Sequence, residues 1–262
     1  MKQTEHTAIV LRCANYRDND RMLTLFSPTR GKIEALARGC RRPKSPLLAA
    51  SQPFALGDYE LYHKADRFTV TGITLTETFY PLRTDFERLS AGTYLLGLCE
   101  SIIQPNEPNQ QLFMLLLHTL ARLTFSDQPW KPLLAGFFLH TSAIEGYQPE
   151  LEYCVRCGKL CTPQDALHFD LRDGGLCCPA CYEAYRQAET ALQRPPLPGQ
   201  SVRELLPPLA QQQATWMRTA LQSPASAWLD TPEAYAPASV LRSYVEMRLE
   251  QPVKAGKMLF GS

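Results

Sequence analysis

FALGDYELYHKADRFTVTGITLTETF, residues 54–79, is the stretch that decides the fold of the first part of the chain. In it, β-branched and aromatic residues alternate with polar ones on both sides of the turn signal Ala65-Asp66. A period of two residues in short segments bounded by turn residues indicates β-strands. Three more runs of this kind precede it: HTAIVLRC, RMLTLFSPTRGK and IEALAR. With further turns at Asn19-Asp20, Pro28 to Gly31 and Gly57-Asp58, the first eighty residues predict five strands.

Five short strands without a long helix between them suit a small Greek-key barrel. The OB-fold is the common barrel of this size, and an SH3-like barrel fits the strand count nearly as well. From Pro81 onward the apolar period lengthens toward 3.6 residues, which predicts helices. Asp85 is the expected N-cap of the first helix and Gly146 the expected C-cap of the third. The predicted helical segments are DFERLSAGTYLLGLCESII, NQQLFMLLLHTLARLTF, KPLLAGFFLHTSAIEGY, CYEAYRQAETALQ, AQQQATWMRTALQ and ASVLRSYVEMRLE.

The expected fold class is therefore α+β and multidomain. A chain of 262 residues exceeds the roughly 250 at which single cores stop growing, so two domains are expected. We place an N-terminal OB-fold β-barrel that binds nucleic acid at residues 1–80, and an α-helical domain at residues 81–262. The helical domain carries a four-cysteine zinc finger as an insertion at about residues 154–181.

The insertion, CVRCGKLCTPQDALHFDLRDGGLCCPAC, holds two CxxC pairs, Cys154 with Cys157 and Cys178 with Cys181. Each pair places two thiolates on one tight turn, and two such turns supply the four-sulfur tetrahedral site that Zn²⁺ prefers. Four protein ligands leave no coordination position for water, so we expect one structural zinc ion rather than a catalytic one.

The ligand set has alternatives at this point. Cys161 could stand in for Cys157, and Cys177 could compete with Cys178, although the paired two-residue spacing favours Cys178. His168, between the two pairs, is expected to be a surface or packing histidine. Without a metal, the six cysteines of the region would be buried or free thiols.

Charge is segregated along the chain. The first fifty residues carry ten Lys or Arg against four Asp or Glu, although the net charge of the whole chain is only +1. ALARGCRRPKS, residues 35–45, contains four cations and no acid. A barrel with basic strands and loops is typical of proteins that bind single-stranded nucleic acid. The alternative is a solvated loop.

Two sets of side chains in the first domain are candidates for contact with DNA. The cations are Arg38, Arg41, Arg42 and Lys44 of the basic segment, with Arg12, Arg17, Arg21 and Lys32 added on charge alone. The candidates for base stacking are Tyr16, Phe26, Tyr59 and Tyr62. A second basic surface could come from Arg242, Arg248, Lys254 and Lys257, or these cations could belong to the solvated face of a helix.

Several function classes lack their sequence signals. The phosphate loop GxxxxGK[ST], HExxH, GxSxG and GxGxxG are absent, so binding rather than catalysis is expected. The apolar runs are shorter than the roughly 20 residues of a membrane span, and no signal-peptide apolar region follows the first residues. We therefore expect a cytoplasmic protein that is not an enzyme and has no membrane partner.

The residues also carry a family resemblance. IVLRCANYRDNDRMLTLFSPTRGKIEALARGCRRPKS, SQPFALGDYELY, ETFYPLR, and CVRCG with GGLCCPAC follow one another in an order that resembles the bacterial DNA repair and recombination mediators of the RecO family. The resemblance covers essentially the whole chain, and its most specific parts are the ARGCRRPKS segment and the double CxxC. The family usually has an apolar residue at the position of Cys177, and some members lack the cysteines, which supports a scaffolding role for the metal.

The resemblance implies an N-terminal OB-fold, a helical domain with a zinc finger, and action in the RecF pathway of recombination. It implies binding of single- and double-stranded DNA, annealing of complementary strands, and help in loading RecA together with RecR. It further implies contact with the C-terminal tail of single-stranded DNA-binding protein, and a nucleoid-associated place in the bacterial cytoplasm. Two other hypotheses stay open: a zinc-finger adaptor or transcription factor without annealing activity, and a zinc-dependent enzyme of nucleic-acid chemistry.

Overall fold

Five strands close into a barrel near the start of the chain: β1 Lys2–Tyr16, β2 Asp20–Ser27, β3 Gly31–Ala37, β4 Leu56–Lys64 and β5 Arg67–Glu77. Their order around the barrel is β1-β2-β3-β5-β4, and β1 pairs with both β2 and β4. β3 and β5 pair in parallel and close the barrel, whereas the other neighbouring strands are antiparallel. The predicted five-stranded Greek-key barrel of the OB-fold type is confirmed.

The structure, a computed structural model, describes residues 2–65, 67–162, 164–192, 202–222 and 237–249. These residues form two compact units, one that ends at Asp127 and one that begins at Gln128. The barrel belongs to the first unit and the cysteine-rich segment to the second. The predicted boundary between the barrel domain and the helical domain, between residues 80 and 81, remains a prediction.

Alternation along the strands builds the barrel core. On β4, Tyr59 and Leu61 point inward and are fully buried, whereas Glu60 between them is exposed. The phenol hydroxyl of Tyr59 donates a hydrogen bond to the carbonyl oxygen of Ala50, 2.9 Å away. This bond satisfies the polar end of a core tyrosine and ties the segment between β3 and β4 to the barrel.

One turn prediction is wrong. Gly57 and Asp58 lie inside β4 instead of forming a turn, and Gly57 pairs with Leu75 of β5. A Cβ atom on Gly57 would lie 2.4 Å from the carbonyl oxygen of Thr74, so the glycine permits a close backbone approach within the sheet. The connection from β3 to β4 is instead the long segment of residues 38–55.

Helices complete the first unit. A 3₁₀ helix, Tyr80–Thr84, leads into α1 Phe86–Ile102, and α2 Gln110–Phe125 follows. The side chain of Asp85 accepts a hydrogen bond from the backbone N–H of Arg88 at 3.0 Å, which confirms the predicted N-cap. α2 covers the outside of β2, where Phe113 meets Phe26 edge to face with ring centroids 5.3 Å apart.

Gly31 lets the turn between β2 and β3 pack against the loop between α1 and α2. Its φ is +62°, and a Cβ atom there would lie 2.3 Å from the carbonyl oxygen of Gln104 and 2.4 Å from that of Glu107. The backbone N–H groups of Lys32 and Asn106 donate to the carbonyl oxygens of Gln104 and Arg30 across the same contact. Glycine is therefore required at this position for two reasons, conformation and space.

Gly31→Ala is expected to lower the free energy of unfolding by about 3 kcal/mol, because positive φ costs roughly 1 to 2 kcal/mol and the backbone must also move. Gly39→Ala is the matched control: its φ is also +62°, but the nearest atoms belong to the flexible side chain of Arg42 at 3.7 Å. We expect about 1 kcal/mol for Gly39→Ala from urea unfolding curves. Equal losses for the two variants would contradict the packing described here.

The second unit combines helices with a short hairpin: α3 Trp130–Ile144, β6 His168–Asp170, β7 Gly175–Cys177, α4 Pro179–Leu192, α5 Val202–Leu205, α6 Gln211–Gln222 and α7 Ala238–Arg248. α3 packs against α6 and α7. Gly146 follows the end of α3 with φ +83° and donates its N–H to the carbonyl oxygen of Ala143, so the predicted glycine cap is confirmed one position past the C-cap residue.

Candidate nucleic-acid interface and metal centre

A groove of about 960 Å³ crosses the outer surface of the barrel. It runs over the end of β1 and the start of β2, along β3, and to the connection between β4 and β5. In OB-folds, oligonucleotides bind to the face of strands 2 and 3 and to the loops that join strands 1–2 and 4–5. The groove lies on those same elements.

The lining of the groove combines cations with apolar and aromatic surface. Its basic residues are Arg17, Arg38, Lys64 and Arg67. The apolar and aromatic lining consists of Tyr16, Tyr62, Phe68, Met22 and Leu36. Among the described lining residues Glu34 is the single acid. Sites that bind single-stranded nucleic acid combine cations, which follow the phosphates, with aromatic rings, which stack on the bases.

The basic segment is fixed beside one end of this groove. Gly39 donates its backbone N–H to the carboxylate of Asp20 at 2.7 Å, and the backbone N–H of Arg41 donates to the carbonyl oxygen of Asn19 at 3.0 Å. The guanidinium of Arg41 also donates to the carbonyl oxygen of Asp18. These contacts hold the segment on the turn between β1 and β2, which also contains Arg17.

All four predicted cations of the basic segment are exposed. Arg38 lines the groove, and Arg41, Arg42 and Lys44 follow it as exposed side chains. Arg17, which was selected on charge alone, also lines the groove, with its guanidinium 5.4 Å from the ring centroid of Tyr16.

Of the other cations added on charge alone, Arg12 and Arg21 have partners within the first unit, and Lys32 is half-buried. Arg12 forms an ion pair with Glu100 of α1 at 2.6 Å, and this hydrogen bond raises the pKa of its guanidinium. Arg21 donates to the carbonyl oxygen of Ser51 and so holds the segment between β3 and β4. Lys32 is half-buried on β3, where it pairs in register with Phe26. None of these three side chains lines the groove.

The stacking candidates divide into two pairs. Tyr16 and Tyr62 line the groove, and Tyr16 is 37% exposed. Phe26 and Tyr59 are fully buried, the first beneath α2 and the second inside the barrel, so neither ring has a face for a base. The proposal that Phe26 and Tyr59 stack on bases is therefore wrong.

Lys64 and Arg67 are groove residues that sequence reasoning missed. They flank the Ala65-Asp66 turn signal, and they reach the groove because β5 closes the barrel against β3, where Phe68 pairs with Ala35. The available signal was their position: the connection between strands 4 and 5 is one of the two loops with which OB-folds bind oligonucleotides.

The described part of the predicted second basic surface is engaged in structural contacts. Arg248 donates to the carbonyl oxygens of Leu171 and Arg172 and stacks on Tyr244, with its guanidinium 3.8 Å from the ring centroid. Arg242 lies 3.7 Å from the carboxylate of Glu246. Lys254 and Lys257 lie outside the described residues.

Four sulfur atoms come together in the second unit. The Sγ atoms of Cys154, Cys157, Cys178 and Cys181 all lie within 4.8 Å of one another, and those of Cys157 and Cys178 are 3.8 Å apart. Four sulfurs about 2.3 Å from a tetrahedral Zn²⁺ would be separated by about 3.8 Å. The donor set and its spacing therefore fit a zinc ion.

Three local structures position these cysteines. Cys154 and Cys157 lie on a tight turn in which Gly158, with φ +69°, donates its N–H to the carbonyl oxygen of Cys154. The hairpin of β6 and β7 leads directly to Cys178, and Cys181 lies in the first turn of α4. A turn, a hairpin and the start of a helix thus supply the two pairs.

Backbone N–H groups also favour a thiolate at one of the four positions, Cys154. Burial raises the pKa of the Cys154 thiol, but N–H donors from Cys178, Cys157 and Arg156 outweigh burial and bring the pKa to about 6. The N–H of Cys178 lies 3.4 Å from the Cys154 sulfur. A thiolate is the form of cysteine that binds zinc.

The two remaining cysteines of the region lie outside the four-sulfur cluster. The thiol of Cys161 points to the carbonyl oxygen of Lys159, and the thiol of Cys177 to that of Cys178. Burial raises their pKa values to about 11 and about 12. His168 stacks on Tyr182 with ring centroids 3.5 Å apart, as a packing histidine does.

Among the helices that the structure describes, none combines the length and the apolar character that a membrane span requires.

Comparison with known families gives two matches that together span most of the chain. A model described as "Recombination protein O N terminal" matches residues 1–79. A model described as "Recombination protein O C terminal" matches residues 83–193. The first match covers the barrel, and the second covers α1 to α4 with all four clustered cysteines.

Individual relatives agree with these matches. The DNA repair protein RecO of Alkaliphilus metalliredigens is 39% identical over 173 residues, which make up 66% of this chain and 70% of the relative. The DNA repair protein RecO of Pelotomaculum thermopropionicum is 37% identical over 69% of both chains. That of Acetivibrio thermocellus is 32% identical over 70% of this chain and 72% of its own.

Proposed function

Because this chain belongs to the RecO family of recombination proteins, we propose that it is a mediator of DNA repair and homologous recombination that binds DNA and anneals complementary strands. The observation that carries the proposal is the groove on the barrel, with four cations, the exposed Tyr16, the half-buried Tyr62 and the basic segment fixed at its end. The mediator is proposed to act in the RecF pathway in the bacterial cytoplasm, at the nucleoid.

Annealing requires no bond chemistry from the protein. Two complementary strands repel each other as polyanions, and a protein that neutralises several phosphates releases counterions and lowers that repulsion. Arg17, Arg38, Lys64 and Arg67 supply this charge within the groove, and Arg41, Arg42 and Lys44 extend it beyond. The proposed function is therefore that of a non-enzymatic binding protein.

Two kinds of contact suit single and double strands differently. The aromatic lining of the groove, with Tyr16 and Tyr62, suits unpaired bases, whose flat faces are free to stack. The exposed Arg41, Arg42 and Lys44 suit phosphates, which single and double strands both present. Binding of both forms of DNA by one barrel follows from this combination.

One zinc ion held by Cys154, Cys157, Cys178 and Cys181 is proposed as the structural centre of the second unit. When bound, zinc would join the tight turn, the hairpin and α4 through bonds to the four thiolates. Four sulfur ligands leave no site for a reacting water, which agrees with a scaffolding role. The partners proposed for the protein are RecR, the C-terminal tail of single-stranded DNA-binding protein, and RecA as the protein that is loaded.

The adaptor hypothesis, in which the finger itself contacts nucleic acid, has weaker support. Arg156 of the finger is paired with Asp170 at 2.6 Å and with Asp173 at 3.2 Å, so its charge is already compensated. The groove on the barrel has four lining cations and one described acid. The excess positive charge that attracts DNA lies on the barrel.

Tyr62→Ala is expected to weaken binding of a single-stranded oligonucleotide about tenfold, because stacking of one base on an aromatic ring contributes roughly 1 to 3 kcal/mol. Since no charge is removed, the slope of log K against log salt is expected to stay unchanged. Fluorescence anisotropy of a labelled oligonucleotide over a salt series measures both quantities.

Tyr80→Ala is the control for this experiment, because Tyr80 is 66% exposed and does not line the groove. We expect wild-type binding for that variant. Equal losses for the two variants, or none for Tyr62→Ala, would remove the groove from the proposed mechanism.

A further inference from the structure

Arg156 lies between two of the proposed zinc ligands, Cys154 and Cys157, and its side chain reaches other parts of the finger. Its Nε and Nη2 atoms donate to one carboxylate oxygen of Asp170 at 2.8 and 2.6 Å. The same Nε lies 3.2 Å from a carboxylate oxygen of Asp173. The guanidinium carbon is 4.5 Å from the ring centroid of Tyr185.

Asp170 is a fully buried carboxylate with defined partners on both oxygens. One oxygen accepts the two bonds from Arg156, and the other accepts the backbone N–H groups of Arg172 and Asp173, each at 3.0 Å. A buried carboxylate that lost its cation would be strongly destabilised. Arg156 and Asp170 therefore fix each other's positions.

The contacts of Arg156 include every local structure that carries a clustered cysteine. Its backbone belongs to the tight turn of Cys154 and Cys157. Asp170 ends β6 of the hairpin that leads to Cys178. Tyr185 lies on α4 four residues after Cys181, a spacing that places both side chains on one face of the helix.

The backbone of Arg156 acts on the cluster as well. Its main chain lies between Cys154 and Cys157 and is bonded directly to Cys157, so the residue is tied to the ligands by its main chain and to the hairpin and α4 by its side chain. Residues that hold metal ligands in place without touching the metal commonly change metal affinity 10- to 100-fold when they are replaced.

We propose that Arg156, held by Asp170 and Tyr185, is a positioning residue for the metal site, which keeps the two cysteine pairs at metal-binding distance. This inference rests on the proposed zinc site. Arg156 therefore has a structural role within the finger. From the sequence alone, a basic residue in a DNA-binding protein would instead be a candidate for contact with DNA.

The test uses the full chain and Co²⁺ as a spectroscopic substitute for zinc, followed by competition for Zn²⁺ with a chelator. Arg156→Met is expected to bind one metal ion with 10- to 100-fold lower affinity and with altered visible absorption bands of the tetrahedral Co²⁺–thiolate site. Arg156→Lys, which keeps the charge but loses the planar fork, is expected to lie between Arg156→Met and the native chain. Asp170→Asn is expected to lower the affinity in the same direction.

Arg172→Met is the matched control, because Arg172 is an exposed arginine in the same hairpin turn, and it is expected to match the native chain. Native affinity and native Co²⁺ bands in Arg156→Met would overturn the proposal. If Arg156→Met does not fold, native metal affinity and native Co²⁺ bands in Arg156→Lys and Asp170→Asn would overturn the proposal instead. If the native chain binds neither Co²⁺ nor Zn²⁺, the proposed zinc site itself is wrong. This result differs from native metal affinity in the variants, which would contradict only the role of Arg156.

Discussion

Replacing Arg38, Arg41, Arg42 and Lys44 together by Ala is expected to weaken binding of a single-stranded oligonucleotide about 600-fold at 0.1 M salt. Each phosphate contact on a single strand contributes about 0.7 to the slope of log K against log salt, so four contacts contribute about 2.8. Between 1 M salt, where the electrostatic contribution is small, and 0.1 M, this slope amounts to about 600-fold. Anisotropy titrations at several salt concentrations measure the affinity and the slope.

The control variant removes the same charge elsewhere. Ala at the exposed positions Arg122, Lys159, Arg172 and Arg186 also changes the net charge from +1 to −3, because four cations are lost in each case. If the basic segment contacts phosphates directly, the control keeps most of its affinity and its slope. Similar losses in the two variants would mean that net charge, and not the basic segment, sets DNA binding.

Cys154→Ser combined with Cys157→Ser is expected to abolish zinc binding and to unfold the finger locally. Structural zinc contributes roughly 10 kcal/mol or more to the folding of isolated fingers, and in this larger unit we expect a loss of about 5 kcal/mol. For a unit of this size, that loss lowers Tm by about 15 °C. Metal analysis, circular dichroism and thermal unfolding measure the three effects. DNA binding by the barrel is expected to be partly retained, because the cluster belongs to the other compact unit.

Cys161→Ala and Cys177→Ala are the controls, since both thiols are buried in the same region and point to backbone carbonyl oxygens. Each is expected to keep one zinc ion per chain, with only the modest loss of stability of a small packing change. A double variant of Cys154 and Cys157 that stays fully helical, melts normally and binds as much zinc as the native chain would refute the zinc assignment.

The elements that sequence predicted well depend on local signals. The period of two in residues 54–79 and the period of 3.6 after Pro81 are properties of neighbouring residues, and both the barrel and the helices follow them. The caps at Asp85 and Gly146 are equally local. The CxxC spacing places two sulfurs on one turn wherever it occurs, so the four clustered cysteines could be selected before the structure.

The features that could not be predicted from the sequence depend on contacts between residues that are far apart along the chain. Arg12 meets Glu100, 88 positions later, and Arg248 meets the carbonyl oxygen of Leu171, so formal charge alone overstated the free cations. Lys64 and Arg67 join the groove only because β3 and β5 pair. Gly57 resembled a turn residue, and only the approach of Thr74 shows why glycine stands inside a strand.

The two buried aromatic residues differ in how predictable they were. Tyr59 shares its strand face with Leu61, so the period of two already placed it toward the core. Phe26 is buried by Phe113 of α2, a contact between a strand and a helix about ninety residues apart that no local pattern encodes. The fold was therefore needed to place Phe26 in the core, whereas the strand pattern already indicated that position for Tyr59.

The most direct test of the proposed function is the annealing rate of two complementary oligonucleotides in the presence of the native chain, measured over a salt series beside the variant that lacks Arg38, Arg41, Arg42 and Lys44. We predict rapid annealing that slows as salt rises and is much slower with the variant, because charge neutralisation is the proposed mechanism. A folded, zinc-loaded native chain that does not accelerate annealing at any salt concentration would contradict it.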